Sequence, residues 1–107
     1  MSAWAYLTLA IAFEVVGTLF LKLSDGFTKW VWGGLALACY SLCFMLLAPA
    51  LKVLPVGVAY AIWCGIGIIG ASLLGILIFG DRLASHQYGF MAMILIGAIG
   101  LRLTAAA

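Results

Sequence analysis

The chain has 107 residues, of which 68% are hydrophobic and 7% charged, with a formal charge of +2 and a mean hydropathy of +1.34. An ordinary soluble domain is about 45–50% apolar and about 25% charged, so this chain has too little polar surface to stay in water. The length suits one compact domain over residues 1–107, and the fold class left open is an all-α integral membrane protein.

Charges gather in a few places, and the apolar runs between them are long enough to cross a hydrocarbon core of about 30 Å, which takes about 20 helical residues. Four transmembrane helices are expected: Ala3 to Leu21, Trp30 to Leu51, Val56 to Phe79 and Gln87 to Leu103. Met1-Ser2-Ala3 lacks the basic lead of a cleaved signal peptide, so helix 1 is expected to remain. The connections carry turn chemistry in Ser24-Asp25-Gly26, Leu54-Pro55 and Gly80-Asp81. Pro55 suits the first turn of helix 3, and Pro49 is expected to kink the last turn of helix 2.

Helix 1 carries Glu14 near its middle, where an ionisable side chain costs about 2.5–3.5 kcal/mol on insertion scales. Each neighbouring Leu, Ile or Val returns only about 0.3–0.6 kcal/mol. The helix therefore inserts while carrying a destabilising group, which marks a functional acid. The bland alternative is a protonated acid that joins two helices by a hydrogen bond. At 3.6 residues per turn, Leu7, Ala10, Ile11, Glu14, Gly17 and Thr18 share one face. Its small residues leave room for a bulky ligand beside the acid, or for close approach of another helix. Lys22 ends the helix, placed to snorkel its amine to the interface.

Trp4, Tyr6, Trp30 and Trp32 fall near helix ends as interfacial anchors, whereas Tyr40, Tyr60 and Trp63 lie deeper. Tyr60 and Trp63 share a face of helix 3. With Tyr40 they offer π faces to a cation and polar tips to the carboxylate, or serve only as packing. Gly65, Gly67 and Gly70 remove side chains from successive turns of helix 3, which fits either a hinge or close helix packing. In helix 4, Gly89, Ala92, Gly97 and Gly100 suit close contact within the chain or with a second copy. Cys39, Cys43 and Cys64 show neither disulfide nor zinc spacing. His86, beside Asp81 and Arg82, reads as solvated rather than as a pH sensor.

Glu14-Val-Val-Gly17-Thr18 with Lys22 and Gly26-Phe27-Thr28, followed by Pro55-Val-Gly57-Val-Ala59-Tyr60-Ala61-Ile62-Trp63 and Gly65 with Gly67, resembles the small multidrug resistance family of bacteria. The likeness spans nearly the whole chain and is closest to the multidrug-exporting branch. It implies an antiparallel homodimer in the inner membrane that exchanges protons for lipophilic, aromatic or quaternary ammonium cations. It further implies that Glu14 of both copies forms the shared site, that Tyr40, Tyr60 and Trp63 line it beside Leu7, Ala10, Gly17 and Thr18, and that Gly65 and Gly67 form the helix 3 hinge. A guanidinium-exporting branch typically has a tryptophan at the position of Gly17 and a threonine at that of Val58, so by this resemblance the chain sides with the multidrug branch. Cys43 stands where members of that family often have a serine, and a thiol donates only weakly.

A proton-coupled cation antiporter is thus the function expected. The rivals are a guanidinium exporter of the same family and a non-transporting accessory subunit in which Glu14 pairs with a polar residue of a larger partner. Neither a cofactor nor a nucleic-acid partner is expected, and no nucleophile–base pair or metal-ligand set suggests an enzyme.

Basic residues favour cytoplasmic loops, yet Lys52 and Arg102 fall on one side while Lys22, Lys29 and Arg82 fall on the other. This near balance predicts insertion in both orientations, and hence antiparallel pairing. Added lysines in the first loop should force one orientation and lower activity unless an oppositely biased copy is coexpressed. A carboxyl-terminal reporter on the unmodified chain should report both compartments in living cells; a single location would refute dual insertion.

Overall fold

The computed structural model describes residues 2–104. These form four helices, α1 (Ala3–Leu23), α2 (Trp30–Leu51), α3 (Val56–Phe79) and α4 (Ser85–Thr104), with no strand among the described residues. All four are long and apolar enough to span a membrane. The chain divides between Val53 and Leu54 into two compact units, an α1–α2 hairpin and an α3–α4 hairpin.

Three helix ends differ from the sequence expectation. The first helix continues to Leu23 rather than ending at Leu21, because a lysine at position 22 can stay helical while its long stem carries the amine outward. The last helix begins at Ser85 rather than Gln87 and runs to Thr104 rather than Leu103. Gln87 is not the first residue of α4 but part of its cap, since its Oε1 accepts the Ala84 N–H at 2.8 Å. That is the back-reaching half of a capping box, and it satisfies a donor that a helix start would otherwise leave bare.

The α1–α2 hairpin is closed by a loop built around Ser24, the one fully buried polar residue described. Its hydroxyl donates to the Leu21 carbonyl at 2.6 Å and accepts the Phe27 N–H at 3.1 Å, while its carbonyl accepts the Lys29 N–H at 2.9 Å. Asp25, Gly26 and Phe27 all take positive φ, which Gly26 tolerates freely and the other two do not. The strain turns the Phe27 ring onto Gly33 of α2, where an added Cβ would lie 2.7 Å from Phe27 Cδ1. Further along, Phe20 of α1 stacks on Trp32 of α2 with centroids 5.7 Å apart. Trp32 therefore contributes a packing contact to the hairpin in addition to the anchoring read from its position, and at 37% exposed it is better covered than Trp30 at 80%.

Small residues dominate what is buried: Ala10, Ala36, Cys43, Ala50 and Ala59 are all wholly covered. Large apolar side chains, Phe44, Met45, Leu77, Ile96 and Leu103 among them, point outward. This inversion of soluble packing suits lipid, where apolar surface need not be hidden and helices approach through small side chains.

In the α3–α4 hairpin, α4 buries only Ala98, and it does so against Gly65. A Cβ at Gly65 would stand 3.1 Å from the Ala98 Cβ and 3.3 Å from Ile94 Cγ2. Gly65 is thus a seat for α4, whatever bending α3 also undergoes; Gly67 is buried as well. At the end of α3, the left-handed turn at Gly80 returns the Asp81 N–H to the Gly75 carbonyl at 3.0 Å. The Asp81 carboxylate lies over Gly75 in the space a Cβ would need.

Gly65→Ala should push α4 away from α3 and cost about 1–3 kcal/mol of overpacking, partly offset by about 1 kcal/mol of added helix propensity. Ala98→Gly in the same chain should recover the loss. Thermal unfolding in detergent checks this, and a double variant no more stable than Gly65→Ala would refute the seat.

Candidate functional site

Glu14 is half-buried on the face of α1 that packs against α2, in line with the buried residues Leu7, Ala10, Ile11 and Gly17. Of the two occupants that the small residues of this face allow, α2 is the one seen at Gly17. A Cβ there would fall 3.1 Å from Tyr40 Cε1, 3.3 Å from Tyr40 Cδ1 and 3.2 Å from the Cys39 Cβ. The missing side chain brings the Tyr40 ring against the α1 backbone, one turn beyond the acid. Ala10 is wholly buried one turn before it.

That approach builds a hydrogen-bonded cluster across the two helices. Thr18 Oγ1 donates toward the Glu14 carbonyl at 3.0 Å and toward Glu14 Oε1 at 3.3 Å. The same oxygen meets the Tyr40 hydroxyl at 2.9 Å. Threonine carries one hydroxyl proton, and both Glu14 oxygens can only accept from it when the acid is ionised. The bookkeeping therefore makes Tyr40 the donor to Thr18 whenever Thr18 serves Glu14.

The other carboxylate oxygen is different. Glu14 Oε2 is buried and has no hydrogen-bond partner among the described residues, the only side-chain atom so placed. A buried polar atom left unsatisfied costs about 1–3 kcal/mol, and more when charged. Such an atom calls for a proton or a cation. Cys43, on α2 three residues beyond Tyr40, is fully buried.

The structure thus gathers Glu14, Gly17, Thr18 and Tyr40 in the first hairpin, on the same face as Leu7 and Ala10. Tyr60 and Trp63 stand on α3 in the second hairpin, Tyr60 exposed and Trp63 half-buried. Of the roles open to Tyr40 in the sequence, a polar tip toward the carboxylate or plain packing, the structure shows its hydroxyl bonded to Thr18 rather than to Glu14 itself. The Glu14–Thr18 spacing of one helical turn was visible in the sequence, but the Thr18–Tyr40 bond spans helices and depends on how α2 is rotated about its axis. Cys39 was also missed as a neighbour of Gly17, for the same reason. No group of three or more His, Cys, Asp or Glu among the described residues is arranged to hold a metal ion.

Comparison with known proteins is consistent along the chain. The family profile for the Small Multidrug Resistance protein matches residues 2–96. The quaternary ammonium compound-resistance protein QacE of Escherichia coli is 37% identical over 103 residues, covering 96% of this chain and 94% of its own. The guanidinium exporter of Yersinia pseudotuberculosis is 39% identical over 101 residues, 94% and 97% of the two chains. A putative ethidium bromide resistance protein of Escherichia coli is 40% identical over 96 residues, 90% and 82% of the two chains. With four membrane-spanning helices and a profile match along nearly its full length, the chain belongs to the small multidrug resistance family, as a multi-pass protein of the bacterial inner membrane.

Proposed function

We propose that the protein is a proton-coupled antiporter that exports lipophilic, aromatic or quaternary ammonium cations, with proton and cation competing for Glu14. The observation that carries this reading is the buried, unpartnered Glu14 Oε2. A proton or a cation satisfies that oxygen equally well in charge, and the two exclude one another. Competition at one site, combined with alternation between two openings, is sufficient for exchange; a cation that bound both openings and both protonation states equally would drive nothing.

A quaternary ammonium ion has no N–H to donate, so it needs charge and polarisable surface rather than hydrogen-bond acceptors. Tyr60 and Trp63 on α3 are aromatic faces of the right kind. The working unit in this reading is an antiparallel homodimer that brings two copies of Glu14 together, with Gly65 and Gly67 as the point where α3 bends. Two features support the dimer. The basic residues are balanced between sides, and a Cβ on Gly89, Gly97 or Gly100 of α4 would meet nothing within 4 Å, leaving these close-approach positions unused within the described chain.

Guanidinium export is the second reading, favoured by relatives such as the 39%-identical guanidinium exporter. A guanidinium pairs with a carboxylate through a two-pronged fork. Against it stands Gly17: the tryptophan that marks the guanidinium-exporting branch would displace the Tyr40 ring, which already lies 3.1 Å from where a Cβ would sit. Proton release from purified protein on addition of a quaternary ammonium, compared with guanidinium, separates the two readings.

Three outcomes follow for the first reading. Glu14→Gln keeps the shape and most hydrogen bonding of the acid but cannot ionise, so it should insert normally while losing coupled transport. In the wild type, cation affinity should fall as pH falls, because the proton takes the same oxygen, and level off once the acid is ionised. A Gln variant that still drives cation uptake into vesicles against a proton gradient would overturn the mechanism. Trp63→Ala should weaken binding of aromatic cations by about thirtyfold, the equivalent of about 2 kcal/mol for a desolvated cation–π contact, with membrane abundance unchanged. Equal affinity of the two proteins in a binding titration would return Trp63 to packing.

A further inference from the structure

We propose that Tyr40 is a positioning residue that acts on Glu14 through Thr18, so that its hydroxyl, and not only its ring, governs the competition between proton and cation. The inference rests on the antiporter reading and names how that site is regulated. Three contacts carry it. Tyr40 OH lies 2.9 Å from Thr18 Oγ1, and Thr18 Oγ1 lies 3.3 Å from Glu14 Oε1 and 3.0 Å from the Glu14 carbonyl. The single Thr18 proton therefore has two acceptors on the same residue, one of fixed charge and one that changes charge with the reaction.

When Glu14 is ionised, the proton is drawn to Oε1, because a hydrogen bond to a charged acceptor is stronger than one to a neutral carbonyl. When Glu14 holds a proton, Thr18 can donate back to the carbonyl, as threonines in helices commonly do. Tyr40 tips this balance. By donating into the Thr18 oxygen it polarises the Thr18 O–H and makes it a better donor to the carboxylate, the mutual strengthening expected of a hydrogen-bond chain. It also holds Thr18 Oγ1 in register with Oε1. The chain engages one carboxylate oxygen and leaves Oε2 as the atom over which proton and cation compete.

The ring of Tyr40 fits this role. Its Cε1 and Cδ1 edge is packed on the α1 backbone at Gly17. The hydroxyl is thereby delivered to Thr18 by a contact that any side chain at position 17 would disturb. Tyr40 is half-buried and, as a rigid aromatic between two helices, has little freedom to take the hydroxyl elsewhere.

The test is a double-variant cycle read as the pH midpoint of binding of a tetraalkylammonium ion to the purified full-length protein. Thr18→Val removes the donor to Oε1, so the proton competes more strongly and the midpoint should rise by about one pH unit, a tenfold change. Tyr40→Phe should move it the same way by a smaller amount, while Thr18→Ser, which keeps the hydroxyl, should stay near the wild type. In the Thr18→Val background, adding Tyr40→Phe should produce no further shift. An additive shift, or an unmoved midpoint in Tyr40→Phe with a changed high-pH affinity plateau, would show that Tyr40 touches the cation directly and would overturn the proposal. Failure of the antiporter reading looks different: the wild type would then bind the cation independently of pH, or Glu14→Gln would retain the wild-type midpoint.

Discussion

A buried carboxylate oxygen without a partner is the constraint on which the rest of this structure turns. Glu14 enters the membrane on α1 at a cost that the apolar neighbours repay only in small increments. One of its oxygens is met by Thr18 and the other has no hydrogen-bond partner among the described residues. An arrangement that satisfied both oxygens internally would be more stable and chemically inert. In the proposed function the half-satisfied acid is a site whose stability depends on what it binds, the property that the proposed exchange requires.

Holding that acid half-satisfied falls to the α1–α2 hairpin, and the hairpin is assembled by omission of side chains. Gly17 admits the Tyr40 ring, Gly33 admits Phe27, and Leu7 is the one leucine among wholly covered side chains of the hairpin that are otherwise Ala10, Ala36, Ala50, Cys43 and Ser24. In lipid there is no gain from hiding apolar surface, so close backbone approach and interhelical hydrogen bonds carry the association. The loop spends strain at Asp25 and Phe27 to direct the chain back, and Ser24 satisfies the backbone groups that the turn exposes. A rigid hairpin is what allows a hydroxyl on α2 to be aimed at a threonine on α1.

The second hairpin is built more loosely. There α4 is seated at one buried residue, Ala98, on the same glycine-rich stretch of α3 in which the sequence suggests a hinge. Packing and bending need not be rival roles for Gly65. A helix that bends where its neighbour is seated moves the neighbour with it, and the glycines of α4 that nothing in the described chain covers remain available for contact elsewhere.

Much of this was legible from residue order alone. Composition and run length determine a four-helix membrane protein because the bilayer sets a length that few sequences satisfy by accident, and the isolated acid in helix 1 announces itself by its cost. Helical periodicity aligns Leu7, Ala10, Glu14, Gly17 and Thr18, since that calculation needs only one helix. What the sequence did not contain was the rotation of α2 against α1. That rotation decided that Tyr40 meets Thr18 rather than the carboxylate, that Gly17 faces Tyr40 and Cys39, and that one carboxylate oxygen is served while the other is not. Local periodicity assigns residues to a face; only the packing of two faces, settled by which side chains are missing from them, pairs hydroxyl with hydroxyl across residues far apart in the chain.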